Sequence, residues 1–205
     1  MNMSRFSEKI LLFFFILIGL LLRYLPFLNE LAESPVLFYQ PDNLYYVRRV
    51  MTILNNFPEI PKFDYYLNYS EAVDFPSPPF YPFFLSLVSW IITLGKTNLH
   101  VVELVTSGVA ALSGSLICIP VYLISKKIMG KKYALMASFI SVFMPLHYWY
   151  TNAIDGDHHA LESLMALFLF NSFMEVYKDN SLKEITKFAI CLLIIFLIWQ
   201  GAILY

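Results

Sequence analysis

Long apolar runs are the feature that most restricts how this chain can fold. Five of them are long enough, or nearly so, to cross the roughly 30 Å of hydrocarbon in a bilayer. They are the segments Ile10–Leu28, Leu104–Ile124, Tyr133–Tyr150, Ala160–Tyr177 and Phe188–Tyr205. With 59% hydrophobic and only 14% charged residues, the composition belongs to a membrane protein rather than to a soluble globule. We therefore predict an all-α, polytopic integral membrane protein that contains these five spans.

Charge and cysteine content narrow the possible partners. The net charge is −1 and no basic surface is indicated, so we expect no binding to nucleic acid. Cys118 and Cys191 both lie in apolar runs without a Cys-x-x-Cys pair, so neither a disulfide nor a zinc site is predicted.

No small-residue cleavage site follows the first apolar run, which indicates an uncleaved span. Arg23 would lie near its outer end, where a long side chain can reach the interface.

The lysines indicate which way the spans run. A further apolar segment, Phe80–Leu94, is short and follows or contains several prolines. If it does not cross, the N-terminus and the lysine-rich loops 125–132 and 178–187 share one side and hold most of the 14 basic residues. The positive-inside rule then places that side in the cytoplasm. We therefore predict that Phe80–Leu94 lies in the outer interface and that a long loop, about residues 29–98, faces outwards.

The long outer loop is expected to contain interfacial helices and functional residues. Its segment Leu44–Leu54 has apolar side chains at helical spacing, which predicts a short amphipathic helix after Asp42. Asp42 follows a proline and precedes an asparagine, a pattern typical of a turn or of a helix N-cap. Arg48 and Arg49 could bind an anionic lipid phosphate through a planar guanidinium, pair with Asp42, or serve only at the surface.

The segment Asp155-Gly-Asp-His-His159 is the strongest candidate for a functional site. Its two carboxylates and two imidazoles lie between apolar runs, where ionisable side chains are costly to hold and therefore suggest function. Carboxylate oxygens suit hard divalent cations, and imidazole suits Mn²⁺-like or softer metals. An Asp-x-Asp or Asp-x-His triplet can direct its outer residues at one ion, which makes Asp155, Asp157 and His159 candidate ligands. The alternative is a solvated loop between two helices.

Three stretches of the chain resemble a known family. The first is Asp42-Asn-Leu-Tyr-Tyr-Val-Arg48, and the second is Phe63-Asp64-Tyr-Tyr-Leu-Asn68-Tyr69 followed by Pro78-Pro79-Phe80. The third runs from Pro120-Val-Tyr122 through Gly130-Lys-Lys and Pro145-Leu-His147 to Asp157-His-His-Ala160. In this order and spacing they resemble the catalytic subunit of oligosaccharyltransferase in its single-subunit bacterial and archaeal forms, which are glycosyltransferases of the GT-C fold.

The resemblance implies transfer of a lipid-pyrophosphate-linked oligosaccharide to an Asn side chain of an acceptor polypeptide. It assigns catalysis to Asp42 and Asp157. It also implies a divalent metal, Mn²⁺ or Mg²⁺, held by Asp42, Asp157 and His159, with Asp155 as a competing acid. The metal would offset charge that develops on the leaving pyrophosphate, and Asp42 would also contact the acceptor amide. The two arginines of the outer loop are the nearest cations for the lipid phosphate.

The chain departs from the family pattern at two positions and in length. Tyr150 stands where the family usually has Arg, and Ile154 where it usually has Gly. The later spans of the family, and its soluble C-terminal domain with a Trp-Trp-Asp motif, have no counterpart in residues 1–205. We therefore expect the N-terminal portion of a GT-C transmembrane domain, which transfers no glycan alone and which a second chain could complete.

Two other interpretations stay open at this point. One is a GT-C glycosyltransferase that uses a polyprenyl-phosphate sugar, because such enzymes also carry an acid in their first outer loop. The other is an inactive membrane fragment or an accessory subunit. The predicted location is a cell or inner membrane, with a cytoplasmic N-terminus and the candidate residues on the outer face.

Overall fold

A computed structural model describes residues 5–69, 71–74, 78–155 and 157–204, and nearly all of its regular structure is helical. Gly156 of the acidic turn and Tyr205 of the last predicted span lie outside these ranges. The helices are α1 (Arg5–Tyr24), α2 (Leu28–Ala32), α3 (Pro41–Asn56), α4 (Phe80–Thr93), α5 (Leu99–Leu116), α6 (Cys118–Met129), α7 (Lys131–Val142), α8 (Pro145–Trp149), α9 (His159–Lys178) and α10 (Leu182–Ile198). Two 3₁₀ turns, Leu25–Phe27 and Gln200–Leu204, lie after α1 and α10.

Three helical segments of the described chain are long and apolar enough to cross a membrane, by length and composition. They are Phe6–Ala32, Leu99–Met129 and His159–Lys178. These segments contain the first, second and fourth predicted spans, so the prediction of a helical integral membrane protein is confirmed. Helix α10 overlaps the fifth predicted span and has 17 residues.

The third predicted span, Tyr133–Tyr150, is not one continuous helix. Helix α7 ends at Val142, and α8 begins at Pro145 after an extended Met144 with φ −59° and ψ 118°. Proline lacks the N–H that would continue a helix, and it forces the preceding residue out of the helical region. The break therefore separates α7 from the short helix that precedes the acidic turn.

The predicted amphipathic helix after Asp42 is present as α3. Its apolar side chains recur at three- and four-residue spacing, and that face is buried. The helix begins at Pro41, whose fixed φ and missing N–H suit the first turn, and Gln40 takes the N-cap position. Asp42 therefore lies in the first helical turn, where the helix dipole favours an acid, and its interpretation as the N-cap is wrong.

Helices α3 and α4 pack on each other and on α5, which gives the long loop a core of its own. The buried side chains of this core are Tyr46, Val47, Val50, Leu54, Tyr81, Leu85, Val102 and Val105. A small antiparallel sheet, β1 (Phe63–Asp64) and β2 (Val73–Asp74), lies between the two helices and departs from the predicted all-α fold. Because the core fixes α3 against the membrane helices, it also fixes the position of Asp42.

Charged contacts bring the lysine-rich turns to one end of the helix bundle. Glu8, buried near the start of α1, pairs with Lys126 at 3.0 Å and with Lys131 at 2.6 Å. Lys127 pairs with Glu175 near the end of α9. The lysines are partly exposed, so these pairs indicate position more than stability. The start of α1, the α6–α7 turn and the end of α9 therefore lie at the same end.

Arg23 joins the opposite end of α1 to the segment that leads into the acidic turn. Its side chain is fully buried, with Nε donating to Thr151 Oγ1 at 2.8 Å and Nη1 donating to Val142 O at 3.3 Å. Its own carbonyl accepts from the N–H of Ala153 at 3.1 Å. The expectation that Arg23 reaches out to the interface is wrong, because its side chain turns inward to these partners.

Candidate metal centre

The segment between α8 and α9 forms a buried turn that Asn152 organises. The Asn152 side chain donates to Trp149 O at 2.7 Å and to Asp155 Oδ2 at 3.0 Å, and it accepts from the N–H of Ile154 at 3.1 Å. Such bonds from a short polar side chain take the place of regular structure. Ile154 is fully buried in a small apolar cluster with residues of the long loop. The hydrogen bonds of Asn152 and the burial of Ile154 thus hold in place the segment that precedes Asp157.

Asp157, His158 and His159 form a group whose possible ligand atoms all lie within 4.8 Å of one another. Asp157 Oδ1 contacts His158 Nδ1, and Asp157 Oδ2 lies 3.9 Å from His159 Nε2. Two atoms that each bind one ion at about 2.1 Å can be at most about 4.2 Å apart. The pair formed by Oδ2 and Nε2 therefore fits a divalent ion. A carboxylate suits Mg²⁺ and Mn²⁺ and an imidazole suits Zn²⁺, so the mixed set does not decide the metal.

Glu162 orients His159 and is a site residue that sequence reasoning missed. Its Oε2 lies 2.7 Å from His159 Nδ1, and its side chain is buried. When Nδ1–H donates to a carboxylate, the lone pair of Nε2 is left for a metal. The signal for this pair was present in the sequence, because residues three apart at the start of a helix lie on one face.

Helix α3 brings Asp42 to the same place. The neighbouring Asn43 donates from Nδ2 to Ile154 O at 3.0 Å, and the N–H of Tyr39 donates to the same carbonyl at 3.4 Å. These bonds attach the start of α3 to the acidic turn. The Asp42 carboxylate is exposed, and its charge adds to the rise in the pKa of His159, which the hydrogen bond to Glu162 causes in the main. The start of α3 and the acidic turn, which are far apart in the chain, are therefore neighbours in the fold.

Burial affects the two acids of the turn differently. Burial raises the pKa of Asp155 to about 6, although its hydrogen bond from Asn152 lowers it, and the charge of Asp157 adds to the rise. Burial also acts to raise the pKa of Asp157, but the hydrogen bond and charge of His158, with the charge of His159, bring it below its usual value. Asp157 is therefore ionised at neutral pH and ready to bind a cation.

The structure places His158, rather than Asp155, beside Asp157 and His159. Asp155 lies outside the three-residue group, and its Oδ1 is buried without a hydrogen-bond partner among the described residues. Its Oδ2 is held by Asn152. The candidate ligand Asp155 thus stays a prediction, and the geometry favours Asp157 and His159 for a shared ion.

The two arginines of α3 have partners within the protein. Arg48 forms a two-bond ion pair with the buried carboxylate of Asp64, and its guanidinium lies 5.7 Å and 5.2 Å from the ring centroids of Tyr45 and Tyr66. Burial acts to raise the pKa of Asp64, but the bonds from Arg48 lower it. Arg49 is buried, and burial lowers its pKa to about 10. Phosphate binding by these arginines stays a prediction, in which a phosphate competes with Asp64 for Arg48.

Aromatic rings enclose His158. Its imidazole centroid lies 5.2 Å from that of Tyr46 and 6.2 Å from that of Tyr81. The rings of His159 and Trp199 lie at 4.2 Å and 6.4 Å. Only 6% of His158 is exposed. Residues from α3, α4 and the end of α10 therefore meet around the residue that precedes α9.

An opening of about 430 Å³ lies beside the imidazole of His159. The other residues that line it are Met144, Leu146, His147, Tyr150, Thr151, Glu162 and Ser163. Tyr150 takes the position at which the resemblance leads one to expect Arg. This lining therefore contains neither Lys nor Arg among the described residues, and any cation for a bound phosphate comes from elsewhere.

The fold and the site together define a class of protein. It is a helical membrane protein in which the first long loop is hydrogen-bonded to the turn that carries Asp157, His158 and His159. The sequence profile of the family described as oligosaccharyl transferase STT3, N-terminal, matches residues 11–205. The chain belongs to this family, which confirms the resemblance carried by the three stretches.

Two relatives from Archaeoglobus fulgidus are similar in sequence. The dolichyl-phosphooligosaccharide-protein glycotransferase 1 is 28% identical over 200 residues, which are 97% of this chain and 32% of that protein. The dolichyl-phosphooligosaccharide-protein glycotransferase 3 is 25% identical over 162 residues, which are 78% of this chain and 18% of that protein. The chain thus spans about a third or less of the length of these relatives.

Solved structures of the archaeal oligosaccharyltransferase AglB from Archaeoglobus fulgidus share the fold. The complex with an inhibitory peptide and a dolichol-phosphate superposes with a TM-score of 0.85 at 22% identity, over 97% of this chain and 25% of that one. The complex with Zn and sulfate gives a TM-score of 0.82 at 23% identity, over 94% and 25%. At this identity the likeness establishes the fold alone.

Proposed function

We propose that this chain supplies the metal- and donor-binding part of an oligosaccharyltransferase, which transfers a lipid-pyrophosphate-linked oligosaccharide to Asn of an acceptor polypeptide. The observation that carries the proposal is the group formed by Asp157, His158 and His159, to whose turn the start of α3, which carries Asp42, is hydrogen-bonded through Asn43. The names of the two relatives support the lipid-linked donor. The peptide and dolichol-phosphate bound in one solved structure support both substrates.

Asp157, His159 and Asp42 are the residues proposed to hold the metal, which we take to be Mn²⁺ or Mg²⁺. When bound, such an ion acts as a Lewis acid that offsets the charge developing on the leaving pyrophosphate. Asp155 is the alternative acid, although Asn152 already holds one of its oxygens. The ionised state of Asp157 and the 3.9 Å spacing between its Oδ2 and His159 Nε2 support this assignment.

The chain's own residues bind and orient the substrates in this proposal. The exposed carboxylate of Asp42 accepts a hydrogen bond from the acceptor amide. The opening beside His159, whose lining is mostly apolar, receives the part of the donor next to its pyrophosphate. Arg48 and Arg49 are the proposed cations for the donor phosphates, because a guanidinium fork binds phosphate in the geometry that it uses for a carboxylate.

The proposed function is tested in cells whose gene encodes Asp42→Asn. The amide keeps the size of the side chain but removes its charge, so we expect the transfer rate to fall by about 10²–10³, as when one preorganised electrostatic group is lost. Mass spectrometry of endogenous Asn-x-Thr glycopeptides measures the remaining occupancy. Glu30→Gln is the matched control, because Glu30 is an exposed acid in the first turn of another helix of the same loop. Normal occupancy in the Asp42 variant would contradict the proposal.

We propose five membrane passes, formed by α1, α5–α6, α7–α8, α9 and α10, with the N-terminus in the cytoplasm and the metal centre outside. The ion pairs of Glu8 and Lys127 support this arrangement, because they gather the lysine-rich turns at one end of the bundle. The positive-inside rule assigns that end to the cytoplasm. Trp199, after α10, lies beside His158 at the opposite end.

Cysteine labelling tests this orientation. In a variant without Cys118 and Cys191, new cysteines replace the exposed side chains of Leu37, Tyr69 and Met129 one at a time. We expect a membrane-impermeant thiol reagent to label intact cells at the first two positions and at Met129→Cys only after permeabilisation. Labelling of Met129→Cys in intact cells would place the lysine-rich turn outside and refute the five-pass arrangement.

The role of Glu162 is tested by two substitutions, of which only one keeps a hydrogen-bond acceptor. Glu162→Leu removes the acceptor for His159 Nδ1–H, and we expect Mn²⁺ affinity to fall by about 10–100-fold, as for other outer-shell partners. Glu162→Gln keeps an amide oxygen that can accept the same bond, so a much smaller loss is expected. Titration of the purified chain with Mn²⁺ measures both. Equal losses in the two variants would show that the charge of Glu162, not its hydrogen bond, matters.

A further inference from the structure

We infer that Asn68, in the long outer loop, is itself an acceptor of the glycan that the proposed enzyme transfers. This inference rests on the proposed function, because that function supplies the lipid-linked donor. Asn68 is followed by Tyr69 and Ser70, and Asn-x-Ser, where x is not proline, is an acceptor triplet for N-glycosylation. One other such triplet occurs in the sequence, Asn2-Met-Ser4. An acceptor must also lie on the side of the membrane where transfer takes place and must present an accessible amide.

The hairpin formed by β1 and β2 presents Asn68 at the protein surface. The side chain of Asn68 is exposed, and that of Tyr69 is 87% exposed. Asn68 has a φ of 51°, in the left-handed region that asparagine tolerates better than most residues. Its carbonyl accepts from the N–H of Glu71 at 3.0 Å. Ser70 lies outside the described residues and enters the inference through the sequence alone. The amide of Asn68 is thus accessible to an enzyme.

The hairpin is attached to the part of the protein that carries the metal centre. Asp64 in β1 forms the two-bond ion pair with Arg48 of α3. At the start of the same helix, Asn43 donates to Ile154 O in the acidic turn at 3.0 Å. The proposed arrangement of the passes places this turn and the long loop together on the outer face. Asn68 is therefore on the side where the proposed transfer takes place.

The second triplet is an internal control for this location. Asn2-Met-Ser4 lies outside the described residues, directly before α1. Glu8, in the first turn of α1, pairs with Lys126 and Lys131 at the lysine-rich end of the bundle. The proposed orientation places that end in the cytoplasm. The same residue pattern thus occurs on both sides of the membrane, and only Asn68 should carry a glycan.

The hydrogen bonds of Asn68 leave its amide nitrogen able to react. Its Nδ2 carries two hydrogens, and it donates one of them to Glu71 Oε2 at 3.2 Å. In the transfer, a bond forms between Nδ2 and the anomeric carbon of the glycan, and the bond from that carbon to the pyrophosphate oxygen breaks. The electron pair of the broken bond leaves with the lipid pyrophosphate, and one amide proton passes to water. The product keeps one N–H, which still donates to Glu71, so the modification is compatible with the folded hairpin.

Glycopeptide mapping of the full-length protein, purified from the cells that encode it, tests the inference. We expect the peptide that contains Asn68 to carry the glycan mass found on Asn-x-Ser and Asn-x-Thr peptides of other membrane proteins, and the peptide that contains Asn2 to carry none. Ser70→Ala keeps the acceptor nitrogen but removes the hydroxyl of the triplet, so we expect complete loss of the glycan. Asn56→Gln is the matched control, because Asn56 is exposed in the same loop and is followed by Phe57-Pro58. It should leave the glycan of Asn68 unchanged.

The alternative results separate this inference from the proposed function. An unmodified Asn68 in cells whose other triplets carry the glycan overturns the inference and leaves the proposed function standing. A glycan that remains on Asn68 in the Ser70→Ala variant, or one found on Asn2, also overturns it. So does a glycan kept on Asn68 but lost from other proteins in the Asp42→Asn cells, because another enzyme would then have attached it. If no Asn-x-Ser or Asn-x-Thr peptide of the wild-type cells carries a glycan, the proposed function itself fails.

Discussion

Asp157→Asn is expected to reduce Mn²⁺ affinity by more than about 100-fold, the upper end of the loss seen when only an outer-shell partner is removed. The substitution deletes the negative charge of Asp157, which lies close to both His158 and His159. It also replaces an oxygen with an N–H₂ group, which repels a cation. The change in affinity is measured by titrating the wild-type and variant chains with Mn²⁺ in nanodiscs, where free Mn²⁺ is counted by electron paramagnetic resonance.

Comparison with other acids shows whether Asp157 acts in one shared site. Asp42→Asn should also weaken binding, and the double variant should lose little more than either single, because ligands of one ion act as a unit. Losses that add would indicate separate sites. Asp155→Asn is the matched control, since Asn152 already holds this acid, and should have the smaller effect. A larger effect there would show that Asp155 and Asp157 form the ligand pair and that His159 does not bind.

Gly114→Ala is expected to destabilise the protein by about 1–3 kcal/mol, the usual cost of adding an atom to a closely packed core. A Cβ at Gly114 would lie 2.4 Å from Thr151 Cβ and 2.7 Å from Arg23 Nε. Helix α5 would therefore have to move away from the segment that carries the acidic turn, or the bond between Arg23 and Thr151 would have to break. We expect a lower melting temperature and weaker Mn²⁺ binding in the same variant.

Gly108→Ala is the control for this prediction, because it lies in the same helix. Its Cβ would meet the hydroxyl of Tyr24 at 3.0 Å, which is the end of a flexible side chain. Alanine is also the better helix former by about 1 kcal/mol, so the net change should be small. If the two alanine variants melt at the same temperature, the close approach of Gly114 to Arg23 has no energetic consequence.

The parts of this fold that depend on local chemistry could be predicted from the sequence. Apolar runs of membrane length indicate helices wherever they occur, and the spacing of apolar residues after Asp42 indicates α3. The pairing of Asp157 and His159 was also foreseeable, because an Asp-x-His triplet brings its outer residues together. Pro145 carried a visible signal as well, since a proline ends the preceding helix, and it divides the predicted span Tyr133–Tyr150.

The parts that depend on distant partners could not be predicted. Nothing near Arg23 in the sequence indicates that its side chain turns inward, because its partner Thr151 is 128 residues away. The sequence also does not show whether Asp155 or His159 would share an ion with Asp157, because both lie two residues from it. The hydrogen bond by which Asn152 holds Asp155 is a feature of the folded turn that the spacing does not show. The pairing of Arg48 with Asp64 likewise requires the fold of the long loop.

The buried guanidinium of Arg23 can form its contacts only after a much later part of the chain has been synthesised. Thr151 is added 128 residues later, an interval of roughly 6–26 s at a rate of about 5–20 residues per second. Until then, the cation in this apolar helix has Gly19 O as an acceptor but lacks Val142 and Thr151, and a charge at mid-membrane costs up to about 2.5–3.5 kcal/mol. We expect the newly synthesised α1 to lie near the membrane surface, with Arg23 among the lipid headgroups. It should reach its final depth in the bilayer only after residue 151 has been synthesised. Crosslinking nascent chains halted before and after that residue measures this change in depth. On this prediction, the first helix reaches its final depth only when the segment that precedes the acidic turn has been synthesised.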